Sequence, residues 1–330
     1  MKYLACDFGG SSVKYALIDN QAVMKKNGKV KAPLGSAAEF ENTVFELYEK
    51  YKNEIEGIAI SMPGYINPEN GILYDSGAYK QMYGKNIVEL LQKKCPVDIA
   101  IENDGKCAAL AEAWQGALSE NKDGAVIILG SGIAGGLIKD GKIHSGRNFA
   151  AGELSYMITD SRIHNEMSCA YMSAAMHGIT YRICKMKNLD LTIQDSASIL
   201  TWLDSRIKMP YQKSNEPLKA VKADGIQFFK WLDEDDEDAK EVYKKFIEAL
   251  AVVVHNVQIC YAPEKIVIGG GLSLQERIFK DLRDELQKYY DENTFGRQLE
   301  AVVEKSSYLD ECNLIGATYN FIQRFPVKGE

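Results

Sequence analysis

Metal-ligating chemistry is the first thing this sequence of 330 residues is short of. It has 4 histidines (His144, His164, His177 and His255), and none falls with cysteine at a recognised zinc spacing. Its 7 cysteines (Cys6, Cys95, Cys107, Cys169, Cys184, Cys260 and Cys312) include no C-x-x-C pair. An odd, scattered set with no signal peptide fits a reducing cytoplasm, with most thiols acting as small buried apolar side chains. No apolar stretch reaches membrane-spanning length, so no membrane partner is expected. Positive charge is not in excess either. A net charge of −7 argues against a general nucleic-acid surface. The one long run of like charge is acidic, Asp233-Glu234-Asp235-Asp236-Glu237-Asp238. It reads as the first turn of a helix, standing in solvent.

What is present is ordinary material for a globular α/β protein: 46% hydrophobic and 26% charged residues. The length allows two domains, each with its own core. The stretch around which the rest is organised is Ile101-Glu102-Asn103-Asp104-Gly105-Lys106-Cys107-Ala108-Ala109. A strand-like run ends here and a helix-like run, Cys107 to Gln115, begins. Asp104 is expected to be the helix N-cap, where the helix dipole favours an ionised carboxylate. An ionised Asp beside Asn103 at a strand tip suits a general base aimed at a hydroxyl. An isolated Asn-Asp pair would read only as a cap; three glycine-rich turns elsewhere change the balance.

The first turn joins two strands, Tyr3–Phe8 and Val13–Ile18, through Gly9-Gly10-Ser11-Ser12. Its glycines permit close backbone approach, and its N–H and hydroxyl groups suit phosphate. Asp7, at the strand end, is placed to hold Mg²⁺ through water. The second follows the apolar strand Ala125–Leu129 as Gly130-Ser131-Gly132-Ile133-Ala134-Gly135-Gly136. It matches G-x-G-x-x-G literally, but that dinucleotide fingerprint needs a helix next. Leu137-Ile138 and an Asp140-Gly141 turn follow instead, which is hairpin chemistry. The third closes the strand Ile266–Ile268 with Gly269-Gly270-Gly271, ahead of a helix from about Leu274.

Amphipathic spacing predicts helices over Ala38–Tyr51, Asn86–Lys94, Ser168 to about Lys187, and Ala239–Tyr261. In the last, Val242, Phe246, Leu250, Val253, Val254 and Val257 share one face. Gly57–Met62 reads as a buried strand ending in the Pro63-Gly64 turn. The segment 188–235 has no clear pattern. The small-residue run Leu314–Phe321 reads as a final helix.

These pieces, in this order, resemble the actin-like sugar kinases, and specifically the ROK (repressor, open reading frame, kinase) family. Asp7-Phe8-Gly9-Gly10-Ser11-Ser12-Val13-Lys14 is similar to that family's first phosphate motif, and Gly130–Gly136, with Gly135, to its second. Glu102-Asn103-Asp104 with Ala108-Ala109 resembles the catalytic segment. Ala151-Gly152-Glu153 resembles the sugar-binding turn, and Gly269-Gly270-Gly271 the adenosine motif. The resemblance implies two actin-like (ribonuclease H-like) α/β domains with a cleft between them. The first would span 1–117 with a returning helix at about 311–330, the second 118–310. It implies ATP and Mg²⁺, a small-molecule sugar as partner, and a homodimer. Asp104 would deprotonate the attacking sugar hydroxyl; Gly64, Asn103 and Glu153 would bind sugar hydroxyls.

Departures from the family pattern shape the substrate expectation. Tyr156 stands where many members carry a His, and 164–173 lacks their cysteine-rich zinc loop, so no zinc site is expected. Cys169 aligns with a sugar-binding Glu. The Gly-Glu-x-x-Tyr-Met turn and Ser61–Ile66 (Ser-x-Pro-Gly-Tyr-Ile) resemble a subgroup of β-glucoside kinases, which implies O6 of the non-reducing glucose as acceptor and Tyr156 as a substrate contact. A kinase of glucose, fructose or N-acetylmannosamine is the alternative. A non-catalytic sugar-binding regulator is a second; a repressor's helix-turn-helix has no room ahead of a first strand that starts at Tyr3.

Overall fold

The computed structural model describes residues 1–75, 77–207, 209, 216–292, 296–308 and 311–326. The chain divides into two compact units. One comprises Met1–Val126, Gly135–Gly152 and Ser306–Glu330, the other Ile127–Ala134 and Glu153–Lys305.

In the first unit, β1 (Lys2–Phe8) and β2 (Ser12–Asp19) form the expected hairpin, with Asp7 opposite Lys14. β3 (Met24–Lys31) adds an outer strand that sequence reading did not anticipate. Its Lys-rich composition hides the strand period and at the same time blunts an exposed sheet edge. α1 (Ala37–Tyr51) starts where Ser36 accepts from the Glu39 N–H, and it buries Phe40, Val44, Leu47, Tyr48 and Tyr51. The fully buried β4 (Gly57–Met62) leads into a small hairpin, β5 (Ile66–Asn67) and β6 (Ile72–Leu73). α2 (Ile87–Gln92), β7 (Asp98–Asn103) and α3 (Asp104–Gln115) follow. The sheet order is β3-β2-β1-β4-β7, with β1, β4 and β7 parallel.

Alternation along β4 and β7 explains the layers. Ile58, Ile60, Ile99 and Ile101 face a core shared with Phe8, Phe40 and Val44. Ala59 and Ala100 face the other way, onto Cys107, Ala317 and Phe321. The small residues leave room for the C-terminal helix on that face.

Next come β8 (Gly124–Leu129), β9 (Ile133–Lys139) and β10 (Lys142–Ile143). β9, not a helix, follows the second glycine turn, and the β9–β10 turn is Asp140-Gly141 with both φ positive. The dinucleotide fold is excluded on the same grounds as in the sequence. The helical stretch expected from Ser168 is broken: α4 (Ala170–Ser173) stops and α5 (Met176–Lys187) restarts after an extended Ala175. α6 (Ala197–Ile207) and α7 (Gly225–Asp233) fill the unpatterned segment, of which 208 and 210–215 lie outside the described residues. α8 (Glu237–Tyr261) buries the predicted face from Val242 to Val257. The acidic run that precedes it does more than meet solvent. Asp236 caps α8 through the Ala239 N–H, and Lys187 bridges Asp236 at 2.5 Å and Asp238 at 3.2 Å. β11 (Lys265–Gly269), α9 (Glu276–Glu292) and β12 (Val303–Lys305) complete the second sheet, ordered β10-β9-β8-β11-β12.

α10 (Cys312–Arg324) closes the chain and packs on β1, β4 and α3 of the first unit. A Cβ at Gly316 would collide with the Cys107 carbonyl, so glycine is what lets α10 lie on the backbone of α3. Residues 327–330 of the helix expected from the sequence lie outside the described residues. Among the described residues, no helix is long and apolar enough to cross a membrane.

Candidate active site

In the parallel part of the first sheet, register sets Asp7, Ser61 and Glu102 in one row at the carboxyl ends of β1, β4 and β7. That edge is where open α/β sheets bind ligands. Asp7 Oδ1 accepts from Ser61 Oγ at 2.8 Å and from Asn313 Nδ2 at 3.1 Å. Burial raises the Asp7 carboxyl above its ordinary value; those two bonds and the Lys14 charge oppose the rise. The buried Cys107 thiol is pushed well up by burial and then by the charges of Glu102, Asp7 and Asp104. Three carboxylates therefore converge at this edge.

The helix cap differs from the sequence expectation. Asn103, not Asp104, is the N-cap of α3: it is extended (φ −62, ψ 145), and its side chain accepts from the Lys106 N–H at 3.2 Å. The helix begins one residue earlier than a cap at Asp104 implies, so Asp104 is its first helical residue. Asp104 Oδ1 accepts from the Gly105 N–H at 2.8 Å, and the half-buried carboxylate still benefits from the helix N-terminus. Asn103 Nδ2 donates to the Gly64 carbonyl at 2.9 Å, and its N–H donates to Glu102 Oε1 at 2.8 Å. The Pro-Gly turn after β4 and the Asn-Asp junction after β7 are thus tied together. Lys106, 1% exposed, was missed in the sequence, where it reads as one more helical lysine. Its ammonium donates to the Phe149 carbonyl, at a backbone with φ 61.

Two glycine turns share one construction, each within its own unit. In the first, Gly9 N donates to the Ser12 carbonyl at 3.0 Å, while Tyr79 Oη donates to the Gly9 carbonyl at 2.7 Å. In the second, Gly130 N donates to the Gly132 carbonyl at 2.9 Å. The first N–H groups of α5 take the remaining carbonyls: Met176 N donates to Gly130 at 3.2 Å and His177 N to Ser131 at 2.8 Å. This docking also explains why α5 restarts at Met176. Carbonyls thus point into the protein. Among the described residues, the N–H groups of Gly10, Ser11, Ser131 and Gly132 donate to no protein acceptor. Such outward N–H groups make an anion cradle. The buried His177 imidazole lies beside Gly132, its pKa lowered by burial and its Nδ1 without a hydrogen-bond partner.

The third turn follows β11. Gly270 has φ 87, and a Cβ there would run into the Leu129 backbone. Its carbonyl accepts from Ser273 N and Oγ, which holds Gly269-Gly270-Gly271 against the end of β8.

Glu153 precedes a short 3-10 turn, Leu154–Tyr156, and its side chain does not cap that turn. Ser155 Oγ donates to the Ile133 carbonyl, pinning the turn to the start of β9. Tyr156 is 67% exposed. Cys169 sits at the start of α4, its backbone bridged to Ile158 and its thiol raised by burial. Burial, together with the Glu166, Cys169 and Tyr156 charges, pushes the nearby Tyr171 hydroxyl up to about 12. Among the described residues, no three His, Cys, Asp or Glu side chains are grouped to hold a metal.

Glycine turns with outward N–H groups follow strand ends in each unit, and carboxylates lie at a parallel sheet edge of the first; groups of these kinds suit phosphates and a hard cation. The ROK family model matches residues 3–324, and the chain belongs to that family. It is 26% identical over 326 residues to a β-glucoside kinase of Listeria innocua, covering 98% of each chain. Its fold matches a putative N-acetylmannosamine kinase from Listeria monocytogenes (TM-score 0.78, 22% identity, 98% of this chain and 99% of the other). It also matches a ROK family glucokinase from Streptomyces griseus, solved with glucose and AMPPNP (TM-score 0.72, 16% identity, 96% and 98%). The protein is a carbohydrate kinase.

Proposed function

We propose that the protein transfers the γ-phosphate of ATP to O6 of the non-reducing glucose of a β-glucoside. Asp104 accepts the hydroxyl proton as the sugar oxygen bonds to phosphorus and the bond to the ADP oxygen breaks. The N–H groups at Gly10, Ser11, Ser131 and Gly132 hold phosphate, and Gly269–Gly271 meet the adenosine. Gly64, Asn103 and Glu153 orient the ring. Asn103 does so with the lone pair and amide hydrogen left over from its two internal bonds. Asp7 fits a role in the Mg²⁺ water shell: Oδ1 is held by Ser61 and Asn313, while among the described residues Oδ2 takes no hydrogen bond. The protein acts as a homodimer, which sedimentation would check.

The observation that carries the acceptor assignment is the pair Tyr156 and Cys169. By the family resemblance these two take the places of a His and a sugar-binding Glu that would grip a free anomeric hydroxyl; the Tyr156 ring is exposed. A ring face tolerates a substituted anomeric oxygen, whereas buried charged hydrogen bonds to a free hydroxyl reject it. The 26% identity to a β-glucoside kinase supports the same reading. The test is kcat/KM for cellobiose or gentiobiose against glucose, fructose and N-acetylmannosamine, with the phosphorylated position assigned by NMR. A clear preference for a monosaccharide overturns the β-glucoside assignment and favours a monosaccharide kinase, the reading that the names of the two solved relatives support.

A further inference from the structure

β5 and β6 pair in register Ile66↔Leu73 and Asn67↔Ile72. One residue further the ladder bulges, so that Tyr65 faces both Tyr74 and Asp75: their N–H groups donate to the Tyr65 carbonyl at 2.8 and 3.2 Å, and Tyr65 N donates to the Asp75 carbonyl at 3.0 Å. Side chains alternate across a strand, so the neighbouring pair must face opposite sides of the ribbon. Ile66 and Leu73 are fully buried in the core of the first unit. Tyr65 and Tyr74 face away from it, with ring centroids 5.5 Å apart and planes at 38°. Tyr74 is 44% exposed.

The position of the pair is what gives it meaning. Tyr65 directly follows Gly64, whose carbonyl is bonded to Asn103, the residue before Asp104. After Tyr74 the chain returns past Pro63, against which Gly77 lies, to Tyr79, whose hydroxyl holds the Gly9 carbonyl. One short segment therefore links the first phosphate turn, the Gly64 turn and the paired rings. The rings are held by backbone on both sides, so presenting them to a ligand requires little ordering.

We propose that Tyr65 and Tyr74 form a stacking platform for the aglycone, the second pyranose or an aryl group, of the β-glucoside. A pyranose face is an apolar C–H surface, and a tyrosine ring gives it a rigid partner with a polar edge. The proposal rests on the β-glucoside reading above and adds a subsite to it. A cross-strand aromatic pair also stabilises its own hairpin, so the test must separate the two roles.

The readout is the ratio of kcat/KM for cellobiose to that for glucose, with ATP saturating. In Tyr74→Ala this ratio is expected to fall about tenfold, mostly through KM for cellobiose, the size of one good aromatic contact. Tyr74→Phe keeps the ring and should keep the ratio. Tyr74→Thr removes the ring but retains strand propensity, and should lose the ratio like the alanine variant. A purely structural role would lower both substrates together and leave the ratio in place. A wild-type ratio above one that Tyr74→Ala and Tyr74→Thr do not move overturns the platform alone. A wild-type ratio below one overturns the β-glucoside reading, and the platform with it.

Discussion

Gly132→Val separates the chemistry of the second glycine turn from its architecture. The nearest neighbour of a Cβ built at Gly132 is His177 Nδ1, at 4.0 Å, which is ordinary contact. The backbone there does not need a positive φ. The turn is closed by Gly130 N on the Gly132 carbonyl and docked on α5 through Met176 and His177, and a side chain at 132 disturbs none of these bonds. The stability change should therefore stay within about 1 kcal/mol, a shift in Tm of ~2–4 °C. Function should change far more. A branched side chain beside the outward N–H groups of Ser131 and Gly132 keeps phosphate at a distance. Losing one hydrogen bond to a charged group costs about 1.5–3 kcal/mol, or ~10- to 150-fold in kcat/KM for ATP. Steady-state kinetics with ATP and sugar varied in turn, alongside a thermal melt, reads all of this. A variant whose sugar KM moves while its nucleotide kinetics do not would refute the placement of phosphate on this turn. A loss of fold would refute the claim that the turn has room.

Asp7→Asn can keep the bonds from Ser61 and Asn313 while removing a carboxylate whose pKa burial has raised. A raised carboxyl is destabilising when ionised, and that cost grows as pH rises through and above the unfolded value of 3.8. Asp7→Asn should accordingly raise Tm at pH 7, with the gain shrinking as the pH falls toward 3.8, while turnover drops and more Mg²⁺ is required; a lower Tm at pH 7 contradicts the sign. Gly316→Ala puts a Cβ into the Cys107 carbonyl and should cost at least about 3 kcal/mol by chemical denaturation, because α10 must lift from α3. Activity should require Mg²⁺, and stoichiometric zinc in the purified protein would contradict the donor set described here.

Much of the fold was readable because its signals are local. Apolar runs that end in glycine mark β1, β8 and β11, and the Asp140-Gly141 turn marks the β9–β10 hairpin. The face of α8 from Val242 to Val257 follows from helical spacing alone. β3 escaped because lysines occupy four of its eight positions, and its strand form comes from pairing with β2 rather than from propensity. The break between α4 and α5 is set by the carbonyls of Gly130 and Ser131, more than 40 residues away, and no local signal can report it. The site shows the same division. Asp7, Asp104 and the glycine turns stand out by spacing and neighbours. Ser61, Asn313 and Lys106 matter only through register and burial, and Asn103 displaces Asp104 as cap by one backbone conformation.

The central claim is that Asp104 takes the proton of the attacking sugar hydroxyl. The most direct measurement is kcat of Asp104→Asn with saturating ATP and acceptor, beside the binding of a non-hydrolysable ATP analogue and a thermal melt. Asn103 supplies the helix cap, so the variant should fold and bind nucleotide as the wild type does. Its kcat should fall by about 10²–10⁴-fold, the range for a positioned general base. Near-normal turnover would contradict the claim and leave Asp104 as no more than the first residue of α3.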